Sequence, residues 1–206
     1  MKLYFILDPM CSWCWGFRSA FERLRLALPE QIQIQYVMGG LAPDSNEPMP
    51  KKIRDYVQSQ WKLVTNETDA EFNWDFWQRC QPRRSTYPAC RAVIASGLQN
   101  EDARAEMIYA IQRAYYVHAK NPSDLDTLIE CATEIGLDTG RFTQDMQSAE
   151  TDQLLREELA LCRQLGVTSF PSLQLEVNGT LHDIEINYRN PATMLQQINE
   201  LALTDG

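Results

Sequence analysis

Hydrophobic and polar positions alternate with two different periods along this chain, and the change of period marks out its parts. Residues 2–7 (KLYFIL) form a short apolar, β-prone run that ends at Asp8-Pro9, where the proline disfavours helix at Asp8. Phe17, Ala20, Phe21, Leu24 and Leu28 then recur at helical spacing. From Gln31 to Met38 the chain alternates again, with Ile32, Ile34, Tyr36 and Met38 on one side and glutamines between them, as in a strand with one buried face. Strand, helix and strand in this order make a βαβ unit with parallel strands and a right-handed crossover. Gly39-Gly40 closes it, and residues 41–50, with three prolines, read as loop.

From Lys51 to Gly166 the period is helical almost throughout. Helices are expected over 51–64 and 69–80, which carry Tyr56, Trp61, Phe72, Trp74, Phe76 and Trp77, a density read first as core and second as a wall beside a binding groove. Further helices are expected from Thr86-Tyr87-Pro88 onward, over 101–118, over 125–135 up to Gly136, and through Leu154, Leu155, Leu159, Cys162 and Leu165 up to Gly166. His118 is read as a hydrogen-bonded histidine rather than an acid or base. Strands return at 172–177 and 180–186 around Asn178-Gly179, a two-residue hairpin signal, so this pair is antiparallel. Asn190-Pro191 starts a last helix with Met194, Leu195, Ile198 and Leu201 inward.

The 206 residues, 44% hydrophobic and 23% charged, suffice for a sizeable globular core. A net charge of −9 makes nucleic acid and anionic lipid unfavourable partners. No apolar run approaches the ~18 residues of a membrane span. The run at 3–7 is too short for the apolar region of a signal peptide, so a cytoplasmic location is expected.

Chemistry concentrates where the first strand hands over to the first helix, at Asp8-Pro9-Met10-Cys11-Ser12-Trp13-Cys14. Cys11 is expected to cap the helix and Cys14 to lie one turn inside it. The first N–H groups of a helix lack internal partners and favour negative charge, so a thiolate at Cys11 is stabilised while Cys14 is shielded. An outer attacking cysteine and an inner resolving one are what thiol–disulfide exchange requires. A zinc site would need a second ligand pair, whereas Cys80, Cys90, Cys131 and Cys162 are scattered and the only histidines are His118 and His182, so no metal is expected. Cys131 and Cys162 read as core residues; Cys80 and Cys90 read as free thiols, with a regulatory disulfide as the alternative. No flavin or nucleotide site is apparent, since Gly39-Gly40 lacks a phosphate-loop pattern.

The order β-α-β, helices, β-β-α, with Cys-x-x-Cys after the first strand and Pro171 directly before the third, resembles the thioredoxin fold in its DsbA-like branch, and within it the FrnE-like subgroup. The resemblance rests on DPMCSWCWGF, Gly39-Gly40-Leu41, YPACRAVIAS (87–96) and LGVTSFPSL (165–173). It implies an α/β protein with a four-stranded mixed sheet: residues 1–50 as the first half, 51–150 as an inserted helical domain and 151–206 as the second half. It implies a protein-disulfide oxidoreductase with Cys11 as nucleophile, Cys14 resolving, and Pro171, after a cis bond, facing Cys11 so that the Phe170 backbone can pair with an extended substrate. The partner would be a thiol- or disulfide-containing polypeptide or a small thiol, with no bound cofactor and glutathione admitted as co-substrate.

The middle pair Ser12-Trp13 departs from the Cys-Pro-His-Cys of DsbA itself, so a dithiol less oxidising than DsbA's ~−120 mV is expected. Ser12 would donate to sulfur or cap the helix, Trp13 would lie exposed as an apolar contact, and Asp8 would either accept the proton of Cys14 or simply shape the turn. Two rival readings stay open. One is a glutathione-dependent isomerase or transferase of the hydroxychromene-carboxylate isomerase or kappa type, and the other a non-catalytic polypeptide binder.

Overall fold

A computed structural model describes residues 1–204 of the chain. Its strands are β1 (Lys2–Leu7), β2 (Gln33–Met38), β3 (Ser172–Val177) and β4 (Thr180–Ile184). They form one sheet in the order β2-β1-β3-β4, with β1 parallel to β2 and antiparallel to β3, and β3 antiparallel to β4. This is the four-stranded mixed sheet of a thioredoxin-like fold. The helices α1 (Ser12–Ala27) and α9 (Pro191–Thr204) flank it, and six more lie between β2 and the last of the series before β3: α2 (Lys51–Glu67), α3 (Phe76–Arg79), α4 (Tyr87–Gln99), α5 (Ala103–Tyr116), α6 (Leu125–Glu134) and α7 (Thr139–Met146). Then α8 (Ala149–Gln164) leads into β3.

Period two in the strands decides which helix each face receives. Leu3, Phe5 and Leu7 of β1 and Leu173, Leu175 and Val177 of β3 face one way, onto Phe17, Phe21 and Leu24 of α1 and Met194 and Ile198 of α9. Tyr4, Ile6 and Val37 face the other way, onto Cys162 and Leu165 at the end of α8. The main core continues without a break into α4, α5 and α6 through Val93, Met107, Ile111 and Leu128.

The aromatic residues of the helical block form a separate core. Trp61 is fully buried among Phe72, Trp74, Phe76, Trp77, Tyr115 and Tyr116, with ring centroids 4.9 to 6.0 Å away. Tyr56, in contrast, is exposed.

The structure departs from the sequence expectation at several boundaries; α2 runs to Glu67 rather than 64 and α5 covers Ala103–Tyr116 rather than 101–118. The helix expected over 69–80 is present only at Phe76–Arg79. The Asn73 side chain accepts from the Asp75 N–H at 3.0 Å and donates to the Val117 carbonyl at 2.9 Å, an arrangement that competes with helix and ties the segment to the end of α5. A helix absent from the expectation, α7, is capped by Asp138, which accepts from the Arg141 N–H at 2.9 Å. At the sheet edges β2 begins at Gln33 rather than Gln31, and β4 ends at Ile184 rather than Ile186. No helix of the described residues is long and apolar enough to cross a membrane.

Candidate active site

Cys11 is the N-cap of α1, in extended backbone (φ −81°, ψ 119°). Its N–H donates to the Asp8 carbonyl at 3.0 Å, and its own carbonyl accepts from Trp15 N–H at 3.1 Å, so the turn from β1 into the helix is closed on both sides of the sulfur. Cys14 lies one turn in and is buried; Cys11 is 7% exposed. Both are free thiols. The Cys14 thiol neighbours that of Cys11, and the Asp8 amide acts on it. Burial, and then the neighbouring Cys11, hold the Cys14 thiol well above its ordinary range, with the Asp8 amide acting in the opposite direction.

Across from the dithiol stands the segment before β3. The Phe170–Pro171 peptide is cis, Pro171 is buried, and the Cys11 thiol donates to the Phe170 carbonyl at 3.6 Å. The tip of the Phe170 ring points at Gly39. A Cβ at residue 39 would sit 2.1 Å from Phe170 Cζ, so the glycine is needed for this approach rather than for a turn.

Asp8 is fully buried, and four donors converge on its carboxylate. Oδ1 accepts from Met10 N–H at 2.8 Å; Oδ2 accepts from Leu41 N–H at 2.7 Å, from the Thr86 hydroxyl at 2.6 Å and from the Cys90 thiol at 3.8 Å. Burial raises its carboxyl above the usual range although these hydrogen bonds pull it down. The side chain thus joins the active-site turn, the loop after β2 and the start of α4. On Cys14 its amide favours the thiolate and its carboxylate opposes it.

The other sequence-derived candidates lie here as well, though not all in the expected roles. Ser12 is buried in the first turn, and the cap position belongs to Cys11. Trp13 is half-buried and tied down: its Nε1 donates to Gln60 of α2 at 3.0 Å and its ring meets the edge of Tyr188 at 5.4 Å. The expectation of an exposed Trp13 is therefore corrected. Cys80 and Cys90 have separate partners, the Ala119 carbonyl at 3.2 Å and Asp8.

Thr86, Cys90, Gln60, Tyr116 and Tyr188 complete the site, and sequence reasoning assigned none of them to it. Tyr116 of α5 donates to the Met10 carbonyl at 2.7 Å and so holds the residue before Cys11 from the opposite side to Asp8. The helix start at Thr86 was legible, but its hydroxyl's partner lies 78 residues away.

A mixed four-stranded sheet, a dithiol at the mouth of α1 and a cis-proline loop facing it define a thioredoxin-fold protein of the DsbA-like type, its helical domain set between the two halves of the sheet. A family model described as Thioredoxin matches residues 4–194, and the chain belongs to that family. Over its full length the chain resembles a Nitrosomonas europaea structure provisionally described as a protein disulfide isomerase, with 29% identity and a TM-score of 0.88 over 98% of that chain. It shares its fold with the cytosolic disulfide reductase DsbM from Pseudomonas aeruginosa, at 22% identity and TM-score 0.82 over 98% of this chain and 100% of that one. The structure of DsbM with GSH matches at TM-score 0.80 and 20% identity, over 98% and 99%. Among curated proteins it is similar to the ClpXP adapter protein SpxH of Halalkalibacterium halodurans, 24% identical over 176 residues, 84% of this chain and 57% of the relative. The chain thus spans less than two thirds of that relative's length.

Proposed function

We propose that this protein is a thiol–disulfide oxidoreductase in which Cys11 exchanges with the substrate and Cys14 resolves the mixed disulfide. The observation that carries this reading is the placing of the Cys11 sulfur at a helix N-terminus, 3.6 Å from the Phe170 carbonyl, with the Cys14 thiol directly behind it. In the reducing direction Cys11 thiolate attacks a substrate disulfide, one substrate sulfur leaves as thiolate, and a Cys11–substrate bond forms. Cys14, deprotonated, then attacks Cys11, forms the Cys11–Cys14 bond and expels the second substrate thiolate. A small thiol, glutathione by chemical class, would return the two electrons, and a cytoplasmic setting suits that direction. An FrnE-like assignment within the DsbA-like branch is part of the same proposal.

In this reading Asp8 is a clamp on the Met10–Cys11 turn. Its carboxylate oxygens already serve four donors. Phe170 and Pro171 shape the substrate side, and Trp13 with Tyr188 forms its apolar flank.

The test is insulin reduction alongside the redox equilibrium of the dithiol in a glutathione buffer. Cys14→Ser should trap a mixed disulfide with substrate, detectable by mass. An isomerase or transferase would turn over unchanged in that variant. The similarity to SpxH favours a second reading, polypeptide binding without exchange. It predicts that Cys11→Ala/Cys14→Ala binds and delivers its partner as the wild type does.

A further inference from the structure

Behind Cys14, on the side away from the substrate, a small cavity of about 20 Å³ is bounded by Cys14, Arg18 and Glu22 of α1, Tyr36 of β2 and Gln112 of α5, with Phe5 and Leu7 of β1 among its apolar walls. Gln112 is 2% exposed, and its Oε1 has no hydrogen-bond partner among the described residues. A glutamine this deep in a helix whose other inward positions include Met107, Ile108 and Ile111 is costly, because an unsatisfied buried acceptor forfeits roughly 1 to 3 kcal/mol. Something must donate to it. A volume of this size is enough for one water, which requires roughly 10 to 15 Å³ and two or more polar partners.

From this geometry we propose that Gln112 holds a single water against the Cys14 thiol, and that this water carries away the proton of Cys14 when the mixed disulfide is resolved. The inference rests on the exchange reading above and deepens it by assigning a positioning residue to the second step. The water donates one hydrogen to Gln112 Oε1 and keeps a lone pair for the Cys14 S–H. The proton passes through it to the Glu22 carboxylate at the outer edge of the cavity and on to solvent. Cys14 thiolate then attacks Cys11, the Cys11–Cys14 bond forms, the Cys11–substrate bond breaks, and the departing thiolate takes up a proton from solvent. No oxidant or reductant beyond the substrate is involved.

The demand for such an exit is real. Burial and the adjacent Cys11 favour the neutral form of Cys14. The other groups that act on it do not help remove the proton: the Asp8 carboxylate already serves four donors, and Tyr116 and Tyr188 are themselves held neutral by burial. Arg18, stacked 3.4 Å from the Tyr109 ring centroid, lines the same cavity.

The experiment uses the full chain. A mixed disulfide between Cys11 and a cysteine peptide is accumulated at low pH, jumped to a series of higher pH values, quenched with acid and counted by mass, for wild type, Gln112→Leu and Gln112→Glu. The pH profile of Cys11 alkylation is recorded as an internal reference. With Gln112→Leu the water loses the acceptor that holds it, and resolution should slow about tenfold at neutral pH as its profile moves up by about one unit. Gln112→Glu, which keeps an acceptor for the water, should restore the rate. A Gln112→Leu variant that resolves with the wild-type profile overturns the inference, as does a high-resolution crystal structure of the wild type with no water on Gln112 Oε1. That structure also decides the matter if Gln112→Leu fails to fold. If no mixed disulfide forms in any variant, the exchange reading fails instead, and the crystal structure still tests the water site.

Discussion

The carbonyl of Phe170 accepts from the Cys11 thiol at 3.6 Å, and the ring of the same residue ends on Gly39, whose missing side chain leaves room for it. A methyl group at residue 39 would collide with Cζ at 2.1 Å and with Cε1 at 2.2 Å. Both collisions are with the tip of the ring, so the side chain must swing aside or the backbone at residue 170 must shift.

Gly39→Ala is therefore expected to cost about 1 to 3 kcal/mol through overpacking and to lower kcat/KM for a peptide disulfide about tenfold or more. Urea titration and insulin reduction measure the two effects. A double variant, Gly39→Ala with Phe170→Leu, makes room for the methyl group and should regain stability. Full activity in Gly39→Ala would show that the ring swings aside without displacing the Phe170 carbonyl.

Asp8→Asn tests the clamp. The amide has only one acceptor oxygen, so its NH₂ must face either the Met10 N–H or the group formed by Leu41, Thr86 and Cys90. A buried donor facing a donor loses about 1 to 3 kcal/mol per pair, and a fall in stability of that order is expected by urea titration. Thr86→Val removes one donor and should cost less. If Asp8 instead served only to accept the proton of Cys14, stability would hardly change and only the resolution step would slow.

How much of this was legible beforehand follows from the range over which each signal acts. The strands, α1 and the hairpin at Asn178-Gly179 were readable because period and turn chemistry are local. The pairing of Cys11 with the loop at Pro171, 160 residues on, came from the resemblance, since nothing in either stretch alone specifies the other. What stayed hidden were contacts made by ordinary residues on the inserted helices. Thr86 looked like a helix cap, yet its hydroxyl is spent on Asp8. Tyr116 looked like one more residue of α5, yet it holds Met10. The 69–80 stretch was misread as helix because its aromatic spacing is satisfied equally by a loop whose rings pack on Trp61. Periodicity reports that a side chain is buried, and is silent about which element buries it.

The buried thiols give the reduced protein an alkaline limit. Burial pushes Cys131 up to about 12 and Cys162 up to about 11, from an ordinary 9.0. In the unfolded chain these thiols ionise near the ordinary value, so the folded state binds more protons above it. Their contribution is fully present below pH 9.0 and is lost as pH rises toward about 11 and about 12. Cys14 and Cys90, also held up by burial, act in the same direction. The urea midpoint under reducing conditions should fall between pH 9.0 and 10.0, where the buried tyrosines begin to add to the fall as the unfolded ones approach their ordinary 10.0. Cys162→Ala should show a shallower fall. A midpoint independent of pH in that window would mean that these thiols are solvated in the folded protein.

The last prediction concerns the ion pair that holds α8 to the sheet end beside the site. Arg104 of α5 and Glu158 of α8 meet at 2.5 Å with side chains only 12% and 15% exposed, and the second carboxylate oxygen of Glu158 accepts from the Met38 N–H at 2.6 Å. Met38 precedes Gly39, so the pair supports the backbone against which Phe170 rests. Removing the cation alone leaves a carboxylate in a poorly solvated place, and Arg104→Met should cost about 3 to 5 kcal/mol. Changing Glu158 to Gln in the same chain removes the stranded charge while keeping an oxygen for Met38, so Arg104→Met/Glu158→Gln should recover much of that loss. Because the Met38 hydrogen bond survives in the double variant, its exchange rate should return along with its stability. Recovery of stability without recovery of rate would separate the ion pair from the placing of Phe170, and equal losses in the single and double variants would show that the charges are solvated rather than buried.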